Sequence, residues 1–311
     1  MLVMLGGAIG DAVLSVPMLA AAHQRWGGRI TVVSRAEHAP IFHAARHAGL
    51  PVEHLPADRE PWASLFTESD PQHQPARSLI HAAAAVINLL DLSGGPLQRN
   101  LRALCKHTLL EIQPRPPAQW QQSVAQYLAR SVGETSTDLT KASLMVPIDR
   151  QLYARSVLQH LQKHAGREIA LLHPGSGSLA KCYPIERMQR LATCLEEHEV
   201  DPIFFIGPDE VERFGPPFIF RLQSYAPVIG PLDLAEAIEL AAATDCYIGN
   251  DSGMTHIAGA LGTPTIAIFG PTSPQLWSPL GPSVQIVRMQ DDAIHITTTI
   301  LNLLRADPAE G

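Results

Sequence analysis

The chain has 311 residues, of which 46% are hydrophobic and 17% charged, and its formal net charge is −7 at pH 7. This length suits roughly two domains, and the apolar share suits parallel sheets that are buried on both faces. The negative charge provides no basic field for DNA or RNA, so we expect no nucleic-acid partner. Four cysteines without a CxxC pair are typical of reduced cytosolic thiols. The 14 scattered histidines do not predict a metal site.

Residues 1–22 are strongly apolar and end in small residues, so a signal peptide is one interpretation of them. They lack a positively charged start, and Asp11 and the Gly6-Gly7 pair interrupt the apolar run, unlike a secretory signal. No other run approaches the ~20 apolar residues of a membrane span. We therefore expect a cytoplasmic protein, with export as the less favoured alternative.

The start of the chain has the pattern of a strand–helix–strand unit. Its predicted elements are a strand at residues 2–5, a glycine-rich loop at 6–11, a helix at 12–26 and a strand at 29–34. Asp11 stands where the loop meets the helix, and a helix N-cap is its structural interpretation. A dinucleotide fingerprint does not fit, because Leu5 replaces the first glycine of GxGxxG and no acidic residue ends the second strand. NAD binding is therefore disfavoured.

A basic amphipathic helix is predicted over residues 97–110. Its basic residues are Arg99, Arg102, Lys106 and His107. They either form a solvated surface or contact an anionic acceptor or a membrane surface. A further helix is predicted at 119–132. The polar stretch at 135–147 is a predicted linker, and it divides the chain into domains at residues 1–150 and 151–311.

The second half repeats the strand–helix pattern. Its first predicted elements are a helix at 153–164, a strand at 168–172, a small-residue loop at 173–178, a helix at 184–198, a strand at 202–206, a short strand at 227–230 and a helix at 232–243. A terminal helix is predicted at 292–304, and it packs either in this domain or back on the first one.

Residues 246–271 form the most informative stretch. They predict a strand, a turn at Asn250-Asp251-Ser252-Gly253, a helix and a second strand. Polar residues occur only at the carboxyl end of the strand, which is the edge where ligands bind in open α/β sheets. The amides of Ser252, Gly253 and Met254 would lie at the helix N-terminus, which attracts anions. The pattern indicates a phosphate or diphosphate site; an ordinary capped turn is the alternative.

Together these patterns predict an α/β protein with two Rossmann-like domains that face each other across a cleft. Asp11 would lie on one side. Lys181 and the loop at residues 251–254 would lie on the other.

Three motifs resemble glycosyltransferase family 9, the ADP-heptose:lipopolysaccharide heptosyltransferases. They are GAIGDAVLSVP at residues 7–17, HPGSGS at 173–178 followed by KCYP at 181–184, and NDSGMTHIAGALGTPTIAIFGPTSP at 250–274. The resemblance covers most of the chain and implies a GT-B fold, an activated nucleotide-sugar donor, inversion at the anomeric carbon and no essential metal or cofactor.

The resemblance also implies roles for individual residues. Asp11 corresponds to the family's catalytic base, and Lys181 to its phosphate-binding lysine, which together deprotonate the acceptor and stabilise the leaving diphosphate. The other diphosphate ligands would be Ser176, Ser178, Ser252, Gly253 and Met254. The donor sugar and nucleotide would be contacted by Asp251, Glu210 and His256, and packing or capping is the alternative role of His256.

Two features depart from the family pattern. Tyr183 replaces the usual Trp of the Lys-x-Trp-Pro segment, and residues 4–6 supply no basic residue before Gly10-Asp11. The resemblance implies a heptosyltransferase that uses ADP-heptose and a lipid-linked inner-core oligosaccharide acceptor, with peripheral contact to the inner face of the cytoplasmic membrane as an open alternative. A different nucleotide sugar, or sugar-nucleotide binding without turnover, are the competing hypotheses.

Overall fold

The computed structural model describes residues 1–68, 75–134 and 143–305. The chain divides into two compact units, Met1–Leu139 and Thr140–Gly311, whereas the sequence pattern placed the division at residue 150. Residues 135–142 of the predicted linker lie outside the described part. The helix Ile148–Leu161 belongs to the second unit, where it packs against the helix Leu234–Ala243.

The first unit is a parallel sheet with helices between its strands. Its elements are β1 (Leu2–Met4), α1 (Ile9–Trp26), β2 (Ile30–Ser34), α2 (Ala39–His47), β3 (Val52–Pro56), α3 (Arg77–Ala82), β4 (Ala85–Asn88), α4 (Pro96–Leu104), β5 (Thr108–Glu111) and α5 (Val124–Ser131). Within the described ranges the strand order is β3-β2-β1-β4-β5, and every pair is parallel. The order reverses at β1, so the loop after β1 lies at a topological switch point.

The second unit repeats this architecture. Its elements are α6 (Ile148–Leu161), β6 (Glu168–His173), α7 (Ile185–Glu197), β7 (Val200–Phe205), α8 (Pro208–Gln223), β8 (Val228–Ile229), α9 (Leu234–Ala243), β9 (Cys246–Asn250), α10 (Gly253–Ala260), β10 (Thr265–Phe269), α11 (Pro274–Trp277), β11 (Val284–Arg288) and α12 (Ala293–Arg305). Where the chain is described, the strand order is β11-β10-β9-β6-β7-β8, again with parallel pairs. Here the switch point lies between β6 and β9.

The fold follows from hydrophobic pattern and capping. The central strands are buried along their whole length, as in β9 and β10, because helices cover both faces of a parallel sheet. Ser123 and Asp233 each begin a helix with a capping box, in which side chain and backbone satisfy each other's hydrogen bonds. The predicted two-domain α/β architecture is confirmed.

Several predicted boundaries were wrong. The predicted helix over residues 97–110 ends at Leu104, and Thr108–Glu111 is instead the edge strand β5. The first helix begins at Ile9 rather than at residue 12, so it includes Asp11. The sequence did not predict α8, which is kinked at Gly215 (φ 67°, ψ −177°) immediately before Pro216 and Pro217.

The terminal helix α12 packs within the second unit, against α7 and β10. Its residues Ile296 and Ile300 are fully buried in the same hydrophobic core as Leu172 and Ile248. This contact fixes the chain's last described element to the sheet that carries the candidate site.

Candidate functional site

The loops that follow β6 and β9 meet at the switch point of the second sheet. Asn250, at the end of β9, is fully buried and joins them. Its side-chain NH₂ donates to the carbonyl oxygens of Pro174 (2.9 Å) and Gly175 (3.1 Å), and its Oδ1 accepts from the N–H of Tyr183 (2.8 Å). The Asn250 side chain therefore holds the two loops together through three hydrogen bonds. In the sequence, Asn250 is recognisable only as a turn residue.

Lys181 and Asp251 form the charged centre of this site. Lys181 Nζ lies 2.8 Å from Asp251 Oδ2, which also accepts from Thr272 Oγ1 at 2.5 Å. The Asp251 side chain is 5% exposed and the Lys181 side chain 31% exposed. His256 Nε2 lies 3.9 Å from the other carboxylate oxygen. The structure thus brings these three predicted site residues together, and it adds Thr272, which the sequence analysis did not single out.

The N-terminus of α10 lies beside this charged centre. Ser252 is its N-cap residue, and Gly253 and Met254 are the first two helical residues. The Ser252 hydroxyl makes no capping hydrogen bond and lies 3.2 Å from Thr255 Oγ1 instead. The first N–H groups of a helix have no partner within the helix itself. Their partial positive charge and the Lys181 ammonium would both favour an anion here.

The two serines of the loop after β6 differ in their surroundings. Ser176 is buried, and its hydroxyl donates to the carbonyl oxygen of Asp251 at 2.8 Å, while its own carbonyl accepts from Arg213 at 2.6 Å. The Ser176 hydroxyl therefore links the loop after β6 to the loop after β9 by a hydrogen bond. Ser178 is exposed and begins the 3-10 turn Leu179–Lys181 that carries the lysine.

Glu210 lies in the first turn of α8 and is 7% exposed. Its Oε2 accepts from the N–H of Gly207 at 2.7 Å, and its Oε1 lies 3.5 Å from His173 Nε2. Burial is the largest influence on the pKa of Glu210 and raises it. Hydrogen bonding and charge from His173, with the amides of Gly207 and Glu210, outweigh burial and hold the pKa below its usual value. Glu210 is therefore an ionised acceptor at neutral pH.

Asp11 belongs to the first unit, on a different sheet from the other candidate residues. It is not the N-cap: Ala8 has that position, and Asp11 lies three residues into the helix. Its Oδ2 accepts from the N–H of Ala8 at 2.8 Å. Gly7 has a φ of 91°, and a Cβ on it would lie 2.5 Å from Asp11 Oδ2. The glycine therefore permits both the turn and the close approach of the carboxylate.

A buried polar cluster lies near Asp11 in the same unit. His38 is fully buried, with Nδ1 3.2 Å from Ser34 Oγ, and His54 Nε2 lies 3.1 Å from the same hydroxyl. Burial, followed by the charges of Arg35 and His54, lowers the pKa of His38 to about 4, although the charge of Asp11 acts in the opposite direction. His38 is therefore neutral near pH 7.

Two of the basic residues around α4, Arg99 and Arg102, are paired with carboxylates. Arg102 makes hydrogen bonds of 2.6 to 3.2 Å to Glu111, and Arg99 pairs with Glu68 and the carbonyl oxygen of Gly94. Both pairs are exposed. Among the described residues, no helix is long and apolar enough to cross a membrane.

The described ranges contain no group of three or more His, Cys, Asp or Glu side chains that could hold a metal ion. The adjacent acids Asp291 and Asp292 accept backbone N–H groups from Arg288 (2.7 Å) and His295 (2.9 Å). Tyr183, which stands where Trp is usual, donates its hydroxyl to the carbonyl oxygen of Asp291 at 2.7 Å. These contacts give all three residues structural roles.

A sequence model described as glycosyltransferase family 9 (heptosyltransferase) matches residues 98–299, more than half of the chain. The chain belongs to this family. The predicted resemblance is therefore confirmed.

Among curated relatives of this family, the lipooligosaccharide heptosyltransferase 2 of Haemophilus influenzae is 45% identical over 60 residues. That alignment covers 19% of this chain and 17% of the relative, so it spans well under two thirds of the relative's length. A solved structure of Escherichia coli ADP-heptose lipopolysaccharide heptosyltransferase II superposes with a TM-score of 0.71 at 17% identity, covering 98% of both chains. This similarity supports the fold alone, and the fold is GT-B.

A third similar structure is TibC, described as a dodecameric iron-containing heptosyltransferase in complex with ADP-D-β-D-heptose. It has a TM-score of 0.56 at 13% identity, and the superposition covers 94% of this chain and 63% of TibC. Because TibC contains iron, the metal independence of the present chain remains a prediction.

Proposed function

We propose that this member of family 9 transfers a heptose from ADP-heptose to an inner-core sugar of lipopolysaccharide. The observation that carries the proposal is the charged centre at the switch point of the second sheet. There Lys181 and the N-terminus of α10 meet the buried Asp251. A diphosphate leaving group carries negative charge that grows as the glycosidic bond breaks, and fixed positive groups at that position lower the barrier.

The donor would be held by two sets of groups. The diphosphate would bind Lys181, the Ser178 hydroxyl and the N-terminal amides of α10, contributed by Ser252, Gly253 and Met254. The ribose would bind the Glu210 carboxylate, which is ionised and fixed by backbone and side-chain contacts. Asp251 and His256 would contact the donor sugar, with Lys181 exchanging part of its contact with Asp251 for the phosphate oxygens.

The transfer step would use Asp11 as general base. The acceptor hydroxyl oxygen attacks the anomeric carbon, the bond to the diphosphate breaks, ADP leaves, and the hydroxyl proton passes to Asp11. The configuration at the anomeric carbon is inverted in a single displacement. The Ala8 amide holds Oδ2 of Asp11 at 2.8 Å and so orients the carboxylate, leaving Oδ1 as the proton acceptor.

The acceptor would be a lipid-linked core oligosaccharide, which brings the protein to the inner face of the cytoplasmic membrane as a peripheral enzyme. No cofactor and no metal would be needed, because Lys181 and the helix N-terminus supply the charge that a divalent cation supplies in other transferases.

A thermal-shift panel tests the donor assignment. The protein is heated with ADP, UDP, GDP or NAD at equal concentrations, since a ligand that binds the folded state raises Tm. We expect ADP to raise Tm most. Stabilisation by UDP or GDP instead of ADP would support a family member with another nucleotide sugar, and stabilisation by NAD alone would overturn the proposal.

A further inference from the structure

The carboxylate of Glu210 is largely buried and has two polar neighbours. Gly207 donates its N–H to Oε2 at 2.7 Å, and His173 Nε2 lies 3.5 Å from Oε1. The side chains of both Glu210 and His173 are 8% exposed. A buried carboxylate is stable only when donors surround it, so these contacts are what allow Glu210 to remain charged in this place.

Gly175 provides the space for this carboxylate. A Cβ at position 175 would lie 1.7 Å from Glu210 Oε1 and 2.4 Å from its carboxyl carbon. Heavy atoms cannot approach that closely, so any larger residue would displace the Glu210 side chain. The backbone of Gly175 is itself fixed, because its carbonyl oxygen accepts from buried Asn250 at 3.1 Å. The close approach of the Glu210 carboxylate to the backbone thus explains why a glycine stands at position 175.

Packing against Phe205 orients the His173 ring, and Nε2 of this ring faces Glu210. Its ring stacks on Phe205 with 4.5 Å between centroids and an interplanar angle of 18°. Its Nδ1 is buried without a hydrogen-bond partner in the part of the chain that the structure describes. Nε2 is therefore the ring nitrogen that has a polar neighbour, and an N–H there can donate to the Glu210 carboxylate.

We propose that His173 is a positioning residue, which together with Gly175 holds the Glu210 carboxylate in the orientation that accepts the ribose hydroxyls of the donor. The inference rests on the proposed function, in which Glu210 contacts the ribose. It gives His173 and Gly175 of the HPGSGS segment a role in positioning a carboxylate. A preorganised acceptor costs less entropy on binding than a mobile side chain, so the benefit appears in donor affinity.

Two variants separate the donor role of His173 from its ring packing. His173→Phe keeps an aromatic ring to stack on Phe205 but has no N–H, whereas His173→Gln loses the ring but keeps a side-chain N–H donor. The dissociation constants of ADP and of 2′,3′-dideoxy-ADP, which lacks both ribose hydroxyls, are measured by calorimetry for each variant. The melting temperature of each variant confirms that it is folded.

We expect His173→Phe to weaken ADP binding by about 10-fold, the effect of one lost hydrogen bond to a charged group, while dideoxy-ADP binds as to the parent. His173→Gln should recover most of the ADP affinity, and Gly175→Ala should reproduce the loss. Equal weakening of ADP and dideoxy-ADP by His173→Phe, or unchanged ADP affinity, would overturn the positioning role.

A readout without ligand distinguishes this inference from the proposed function. The carboxyl carbon of Glu210 is titrated by NMR in the parent and in His173→Phe. We expect the pKa of Glu210 to rise in the variant because one donor is lost. If the parent protein fails to bind ADP, the proposed function is wrong, and the titration still decides whether His173 holds the carboxylate. If the pKa of Glu210 is the same in the parent and in His173→Phe, the positioning role of His173 is wrong.

Discussion

Replacement of Lys181 tests whether the charged centre serves the leaving group. Lys181→Ala removes an ammonium that we place against the diphosphate, and the contribution of such a group rises as the leaving group gains charge. The expected loss of transition-state stabilisation is on the order of 2–4 kcal/mol, which is a fall in kcat of roughly 30- to 1,000-fold. Steady-state kinetics with ADP-heptose and a core acceptor measure it.

The structure also predicts a cost in stability. From the sequence alone, Lys181→Ala would be expected to leave Tm nearly unchanged. However, Asp251 is 5% exposed and lies 2.8 Å from Lys181 Nζ, so the variant removes the ammonium that compensates a buried carboxylate, while the contact with the Thr272 hydroxyl is kept. Removing one partner of a buried pair is destabilising by up to about 3–5 kcal/mol, and we expect less here because Lys181 is partly exposed.

A matched control and a double variant separate these two effects. Lys163 pairs with Glu196 at 3.0 Å and its side chain is 38% exposed, so Lys163→Ala removes a lysine–carboxylate pair away from the candidate site and should leave kcat unchanged. Lys181→Met combined with Asp251→Asn removes the uncompensated charge and should recover Tm, but not the affinity for ADP. If Lys181→Ala retains the parent's kcat and KM for the donor, the reasoning about the leaving group is refuted.

Three further predictions concern metal, packing and pH. Activity should survive excess EDTA, because Lys181 and the α10 amides supply the positive charge; loss of activity that Mg²⁺, Mn²⁺ or iron restores would contradict this. Asn250→Ala should lower the free energy of unfolding by about 2–4 kcal/mol, since it leaves three backbone groups without their bonds; urea unfolding measures this, with exposed Asn302→Ala as a control that should change it little. The pKa of His38 is about 4 in the folded chain against an ordinary 6.5, through burial and the charges of Arg35 and His54, opposed by Asp11. Between these two pKa values the unfolded chain therefore binds more protons at His38 than the folded chain does. The contribution of His38 to the free energy of unfolding is complete above pH 6.5 and should fall by at most about 3 kcal/mol as the pH is lowered towards 4. His38→Gln should flatten that part of the pH profile, and an unchanged profile would contradict the assignment.

The sequence predicted the parts of the fold that depend on local pattern. The unit from β9 to β10 was predicted closely, because its strands are continuous apolar runs and Ser252 and Gly262 mark the helix ends. The prediction from sequence failed for α8, because Gly215, Pro216 and Pro217 break the helical pattern inside this helix. The predicted helix around α4 was too long because the apolar residues Leu109 and Leu110 continue its periodicity, although they pair with β4 as the edge strand β5.

The site was predictable in its residue types but not in its contacts. Lys181 and Asp251 were both named from motifs, yet their ion pair joins residues 70 positions apart in the chain. The Ser176 hydroxyl was predicted to bind phosphate from its motif, which gave no sign that it donates to a carbonyl 75 positions away. Asn250 carried one usable signal, a polar residue that ends a buried strand. Its role depends on two loops that only the folded sheet brings together.

The Asp11→Asn variant tests the central claim, that this fold transfers sugar, most directly. The asparagine oxygen can still accept the Ala8 N–H, so Tm and ADP affinity should stay near the parent values, while the amide cannot take up a proton. Asp149→Asn, in the first turn of α6, is the matched control for loss of a charge at a helix N-terminus and should leave the rate unchanged. We expect the rate of heptose transfer by Asp11→Asn to fall at least ~100-fold. Transfer at close to the parent rate would show that Asp11 only accepts a hydrogen bond at the helix end, and would contradict the catalytic account.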